Sequence, residues 1–297
     1  MTGAPEAADR VVVIGGGTMG RGIAGVALAS GLTATVVDVD EGVLEAAREG
    51  IARRLARELA PEEADERMRR LQLHTELEAA VAGATAVVEA VPEIPQLKAE
   101  VFARAHRSAP PEALLVTNTS TMSISRLAEA CEESPRVIGM HFFNPVHRMP
   151  LVEVIVGRAT SEATVEGALA LAKRLGKDPI VVQDAPGFVT SRLGLLLGNE
   201  AMRMVEEGVA SPADIDKAMR LGYRHPMGPL ELADLVGLDA RLNNVRSMYE
   251  QSGLESYRPP AILERLVESG RLGRKSGAGF YRYDDEGRKS GPAEVTT

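Results

Sequence analysis

Over the first 186 residues, short β-branched runs alternate with longer amphipathic stretches, and beyond that point only the longer pattern continues. Residues 11–14 are an unbroken aliphatic run, expected to be a strand buried on both faces. Glycines follow at once, and Met19, Ile23, Val26 and Ala27 then recur at helical spacing until Gly31 supplies a stop. Residues 34–37 predict a second buried strand ending at Asp38, so the chain opens with a strand, turn, helix, strand unit, the start of a parallel sheet.

Residues 41–60 predict a long charged helix, and Pro61 opens a second that fades near Leu71, together a helical hairpin inserted in the sheet domain. Alternation then resumes, with strands expected at 86–90, 114–117, 137–140, 151–156 and 180–182. The intervening helices are expected at 96–106, through Arg126 and Leu127, and between Glu162 and Leu175. From Gly187 to about Arg271 the periodicity is helical only, no further strand is expected, and the polar tail after Asp284 reads as loose. The fold class is therefore α/β: a Rossmann-like, mostly parallel sheet with an inserted helical hairpin, followed by an all-helical C-terminal domain. The composition shift at residues 184–187 divides the chain into domains 1–186 and 187–297.

Composition narrows the function classes. A chain of 297 residues suits two domains with cores of their own. The net charge of −8 argues against a nucleic-acid or anionic-membrane binder, so any phosphate-bearing ligand must be caught locally. The single cysteine, Cys131, forms no intrachain disulfide and fits a reducing compartment. The five histidines show no metal-ligand spacing, so no metal is expected. The start MTGAPEAADR lacks the features of a secretory leader, and no run reaches the ~18 apolar residues of a membrane span, which makes the cytoplasm the expected location.

The glycines carry the first chemistry. Gly15-x-Gly17-x-x-Gly20 sits between a strand and a helix, as the dinucleotide fingerprint requires, with Gly15, Gly17, Thr18, Met19 and Gly20 expected around a pyrophosphate at the helix N-terminus. Asp38 ends the next strand at the required distance, about 20 residues on. A carboxylate there accepts from the ribose 2′-hydroxyl and repels a 2′-phosphate, favouring NAD over NADP. Asp40 and Glu41 read instead as a solvated helix N-terminus.

His141 follows the buried run 137–140, at a strand end where open parallel sheets form their ligand crevice. Glu153 interrupts the aliphatic run 151–155, and a carboxylate there is expensive to bury unless paired. A histidine on the neighbouring strand is its natural partner, and such a pair suits a general base that must accept a hydroxyl proton. The run Thr117-Asn118-Thr119-Ser120-Thr121 offers hydroxyl and amide groups at the same crevice, but is equally an N-cap for the next helix; spacing alone does not decide.

Taken together, the motifs GGGTMGRGIA, VVEAVPE, TNTST, GMHFFNPV, LVEVI, DAPGF, GYRHPMGPLEL and GRKSGAGFY, in this order, resemble the (S)-3-hydroxyacyl-CoA dehydrogenase family, including its 3-hydroxybutyryl-CoA dehydrogenases, from about Arg10 to Tyr283. The resemblance implies oxidation of the 3-hydroxyl of an acyl-CoA to a ketone, with NAD as cofactor and acyl-CoA as substrate. It makes His141 the catalytic base, Glu153 the carboxylate that orients it, and Ser120 the serine that hydrogen-bonds the substrate oxygen. Asn144 falls near the nicotinamide, and Glu93, Lys98 and Lys275 match further cofactor contacts. The hairpin, with Arg48, Arg53, Arg54 and Arg57, resembles a CoA-binding arm, although a solvated, salt-bridged helix explains each arginine equally well. The second domain resembles the part through which members form homodimers.

One departure stands out: Ser191 occupies the place where the family usually has an asparagine in the active site. A serine is shorter by an amide, which leaves the acyl preference open. Two other readings compete: a dehydrogenase of another 3-hydroxy acid, such as a sugar acid or carnitine, and a non-catalytic NAD-binding relative. Retention of His141, Glu153 and Ser120 together speaks against the latter. His74, His106, His147 and His225 read as surface or turn residues.

Overall fold

The computed structural model describes residues 10–293, which divide between Phe188 and Val189 into two compact units. The inference drawn from the start of the chain falls on residues 1–9, outside the described residues.

The first unit is built on an eight-stranded sheet: β1 (Arg10–Ile14), β2 (Thr33–Val37), β3 (Leu71–His74), β4 (Ala86–Glu89), β5 (Leu114–Thr117), β6 (Val137–Phe142), β7 (Leu151–Val156) and β8 (Asp178–Gln183). Their order is β3-β2-β1-β4-β5-β6-β7-β8. Every neighbouring pair is parallel except β6 and β7, which run antiparallel. The strands are nearly continuous aliphatic runs because helices cover both faces. One core packs Val11, Val13, Ile138, Met140, Val152 and Val154 with α1 (Thr18–Ala29) and α7 (Glu162–Arg174). The opposite core joins Val12, Val87, Leu115, Val137 and Ile155 to α4 (Leu77–Val81), α5 (Pro95–Ser108) and α6 (Ile124–Glu129).

The inserted hairpin is α2 (Glu41–Glu58) and α3 (Pro61–Met68). Asp40 caps α2, accepting from the N–H groups of Gly42 and Val43, as its reading as a helix start requires. Arg53 pairs with Glu49 and Arg54 with Glu58 one turn away, so these two are engaged within their own helix. Two elements depart from expectation. After α3 the chain returns to the sheet as β3, where His74 lies, and then forms the short α4; four residues at a sheet edge and a five-residue helix carry too little periodicity to announce themselves.

The second unit is helical: α8 (Thr190–Glu206), α9 (Pro212–Gly222), α10 (Pro229–Val236), α11 (Leu238–Ser252) and α12 (Ala261–Glu268), around Met202, Val205, Ile215, Leu230, Leu242 and Leu263. It also carries one two-stranded antiparallel hairpin, β9 (Tyr281–Tyr283) with β10 (Lys289–Pro292). The described part of the segment expected to be a loose tail, residues 285–293, is thus ordered, because its polar residues are turn chemistry. Asp284 accepts from the N–H groups of Glu286 and Arg288, closing the turn between the strands. Asp234, buried in α10, accepts from the N–H groups of Phe280 and Tyr281 and fastens the hairpin to the helices.

Candidate active site

The site assembles at the carboxyl ends of β1, β4, β5 and β6. The three glycines divide their work by geometry. Gly15 takes a φ of +102°, and a Cβ there would lie 2.7 Å from Ala90 O, while one on Gly20 would lie 1.8 Å from Gly15 O. A Cβ on Gly17 would meet nothing within 4 Å, so the exposed side of the turn is free for a ligand. Gly17 is the N-cap of α1 without a side-chain cap bond, which leaves the first-turn N–H groups of the helix, starting at Thr18 and Met19, to serve an anion. These residues fit a dinucleotide pyrophosphate.

Asp38 stands at the end of β2 beside this turn. Its Oδ2 accepts from the Gly16 N–H at 2.8 Å and its Oδ1 from the Asp40 N–H at 3.2 Å, so the carboxylate is held in place and remains half-exposed.

On the far side of β1, Glu89 ends β4, paired in register with Ile14. It is 1% exposed, and Lys98 of α5 is fully buried against it. Lys98 Nζ lies 2.8 and 3.0 Å from the two Glu89 oxygens and 3.1 Å from Glu93 Oε2. Glu89 also accepts from Thr117 Oγ1 and from the Val91 N–H, both at 2.8 Å. Burial pushes the Glu89 carboxyl upward, against the pull of Lys98, the Thr117 hydroxyl and the Val91 amide. Lys98 therefore offers no open surface to a cofactor, and its influence passes through Glu93. Glu93 is more open and accepts from the Thr119 hydroxyl and, at 3.3 Å, from the Ser120 N–H.

Thr117 of β5 is in register with Gly139 of β6, so the TNTST run and His141 leave neighbouring strand ends together. Ser123 caps α6, accepting from the Arg126 N–H; the TNTST run itself does not supply that cap. Asn118 Oδ1 instead accepts from the Phe142 N–H at 3.1 Å, tying the two strand ends together.

The antiparallel step from β6 to β7 brings His141 directly opposite Glu153. The two residues lie on the face opposite Met140 and Val154, and His141 Nδ1 is 2.7 Å from Glu153 Oε2. Glu153 is fully buried and His141 retains 9% exposure. With Nδ1–H donating to the carboxylate, Nε2 is left as the basic nitrogen of the ring. Phe143 packs beside the imidazole with ring centroids 4.4 Å apart, and Phe188 lies at 6.1 Å. Asn144, exposed, lies in the loop between the two strands, one residue after Phe143.

Ser191 and Lys275 belong to the second unit. Ser191 is the second residue of α8, and Lys275 pairs with Asp239 at 2.6 Å in a turn after α12. Their assignment to the site rests on the resemblance. Sequence reasoning passed over Glu89, Phe143 and Phe188, and took Thr117 and Asn118 only as part of the TNTST run. A signal for Glu89 was present, since it is a carboxylate inside a buried aliphatic run, the argument that singled out Glu153.

Among the described residues no group of three or more histidine, cysteine, aspartate or glutamate side chains is arranged to hold a metal. Nor is any helix long and apolar enough to cross a membrane. Cys131 is buried, which pushes its thiol up to about 11 and makes it unreactive.

Residues 10–185 match the NAD-binding domain of 3-hydroxyacyl-CoA dehydrogenase and residues 187–283 its C-terminal domain. The chain is 40% identical over 278 residues to 3-hydroxybutyryl-CoA dehydrogenase of Bradyrhizobium diazoefficiens, covering 92% of this chain and 95% of that one. It is 39% identical over 284 residues to the mitochondrial hydroxyacyl-coenzyme A dehydrogenase of Sus scrofa, covering 92% and 90%. A crystal structure of (S)-3-hydroxybutyryl-CoA dehydrogenase from Ralstonia eutropha superposes with a TM-score of 0.90 at 37% identity, covering 94% of this chain and 100% of that chain.

Proposed function

Because the chain belongs to the 3-hydroxyacyl-CoA dehydrogenase family and is an NAD-dependent enzyme that oxidises 3-hydroxyacyl-CoA, we propose that His141, held by Glu153, is the base that takes the proton of the 3-hydroxyl. Bound NAD+ supplies the hydride acceptor. The observation that carries the assignment is the 2.7 Å contact between the nearly buried imidazole and a fully buried carboxylate. The carboxylate selects the tautomer with the proton on Nδ1, points Nε2 as acceptor and stabilises the imidazolium once the proton arrives. In the reverse direction the same imidazolium donates the proton to the ketone oxygen.

Ser120, beside Glu93 at the end of β5, is the donor that holds the 3-oxygen, and Asn144 is a further polar contact. Asp38 receives the adenosine ribose, and the N-terminus of α1 with Gly15, Gly17, Thr18, Met19 and Gly20 receives the diphosphate. Glu93 completes the cofactor's surroundings, and Lys98 fixes it in place. Arg48 and Arg57, exposed and without an ion pair among the described residues, are the hairpin's candidates for CoA phosphates.

A short substrate, 3-hydroxybutyryl-CoA, is part of this reading and is supported by the names of the relatives. So is a homodimer through the second unit, where Leu193, Leu221, Tyr223, Leu232 and Leu235 expose apolar surface on helices that pack together. A cytoplasmic location is supported by the single cysteine. The test follows NADH absorbance with acetoacetyl-CoA, longer 3-ketoacyl-CoAs and a free sugar acid side by side. Fastest turnover of acetoacetyl-CoA is expected; turnover of only the non-CoA compound would overturn the substrate assignment.

A further inference from the structure

Glu89 takes no part in the chemistry above, yet it is almost wholly buried and meets four donor contacts: two to Lys98 Nζ, one from the Thr117 hydroxyl and one from the Val91 N–H. Donors reach both oxygens, and the Lys98 ammonium, the Thr117 hydroxyl and the Val91 N–H favour the ionised carboxylate against the upward push of burial. Lys98 is the sole cation in contact with it among the described residues, and the same ammonium also serves Glu93 at 3.1 Å. Two carboxylates therefore share one ammonium, and the cluster carries a net charge of −1. The excess lies on Glu93, the one member that is not closed off.

The sheet order says what this charge faces. Asp38, the ribose acceptor, ends β2 on one side of β1, and the Glu89 cluster ends β4 on the other. A dinucleotide with its diphosphate on the N-terminus of α1 and its adenosine ribose at Asp38 must extend its nicotinamide toward β4 and β5. That ring carries a positive charge when oxidised and none when reduced.

We propose that Glu89 is a positioning residue that holds Lys98 between two carboxylates, so that the nicotinamide end of the cofactor meets a net negative charge and binding shifts toward the oxidised form. A lysine facing Glu93 alone would present a neutral pair and no such discrimination. Burial of Glu89 and Lys98 matters because an ion pair shielded from solvent is weakly screened by water and salt, so the ammonium stays divided between the two carboxylates and the exposed Glu93 keeps the excess charge.

The test is binding to the intact protein without substrate, NADH by fluorescence titration and NAD+ by calorimetry. Glu89→Gln and Glu93→Gln each bring the cluster to zero, and each should raise the ratio Kd(NAD+)/Kd(NADH) at least threefold. The double variant Glu89→Gln/Lys98→Gln restores a net −1 and should return the ratio to within twofold of wild type. Structural loosening alone weakens both cofactors together and leaves the ratio where it was. An unchanged ratio in Glu89→Gln, or a double variant that stays shifted, overturns the proposal. Should Glu89→Gln fail to fold by circular dichroism, Glu93→Gln and the double variant decide in the same way. Wild-type protein that binds neither cofactor would instead strike at the cofactor assignment itself.

Discussion

Replacing Glu153 by Gln changes one buried charge and little else in shape. The carboxylate lies 2.7 Å from His141 Nδ1 and is fully buried, so its interaction with an imidazolium is only weakly screened. Two charges about 4 Å apart at an effective dielectric of ~20 interact by about 4 kcal/mol, an upper bound before desolvation. Charge-assisted hydrogen bonds contribute roughly 1.5–3 kcal/mol net, against about 1 kcal/mol for the neutral bond that glutamine retains. The variant should therefore lose about 0.5–2 kcal/mol of stabilisation of the protonated base. At about 1.4 kcal/mol per decade this lowers kcat roughly 2- to 30-fold. The assay is NADH formation from 3-hydroxybutyryl-CoA at saturating substrate and cofactor. NADH binding serves as a control expected to stay within about twofold, because the glycine turn and Asp38 are untouched. A variant with kcat unchanged from wild type would refute the claim that the buried carboxylate supports the base.

Three further outcomes follow from the geometry. Gly20→Ala would put its Cβ 1.8 Å from Gly15 O, so the turn must open; NADH affinity should fall at least tenfold and the melting temperature should drop, and affinity within twofold would mean the turn adapts freely. Asp38→Ala removes both the ribose acceptor and the partner of the Gly16 N–H, so the ratio of kcat/KM for NADP to that for NAD should rise at least tenfold while NAD binding itself weakens; an unchanged ratio would detach Asp38 from cofactor choice. Burial pushes Asp234 up to about 6, opposed by the N–H groups of Phe280 and Tyr281, so its folded-state pKa exceeds the unfolded one and its ionisation costs stability above pH 6. That cost fades as pH falls through 6 toward 3.8, and urea unfolding at pH 7 and pH 5 should show wild type gaining about 1 kcal/mol relative to Asp234→Asn over that interval; equal pH dependence in both proteins would refute the assignment.

Most of the sheet was legible because its strands are continuous β-branched runs separated by helical periodicity, a pattern that burial on both faces imposes. The strands β1, β2, β4, β5 and β7 lie where that pattern puts them, while β6 extends two residues further and so carries His141 within the strand. The elements that escaped were short or polar. Strand β3 is four residues at a sheet edge, and β9 and β10 are held by Asp234 and by the turn at Asp284, so their stability comes from partners distant in sequence.

The sequence by itself determined the glycine turn, the acidic residue at the end of the second strand, and the presence of a histidine and a carboxylate in adjoining apolar runs, because these depend on local backbone geometry and on the cost of burying charge. It also contained Glu89 without revealing its use. Tertiary structure alone decided that β6 and β7 run antiparallel with His141 opposite Glu153, and that Lys98 is enclosed between Glu89 and Glu93. The reason is that register and partner choice are settled by which strand ends pack side by side, and a carboxylate in an apolar run states a need for a partner without naming it.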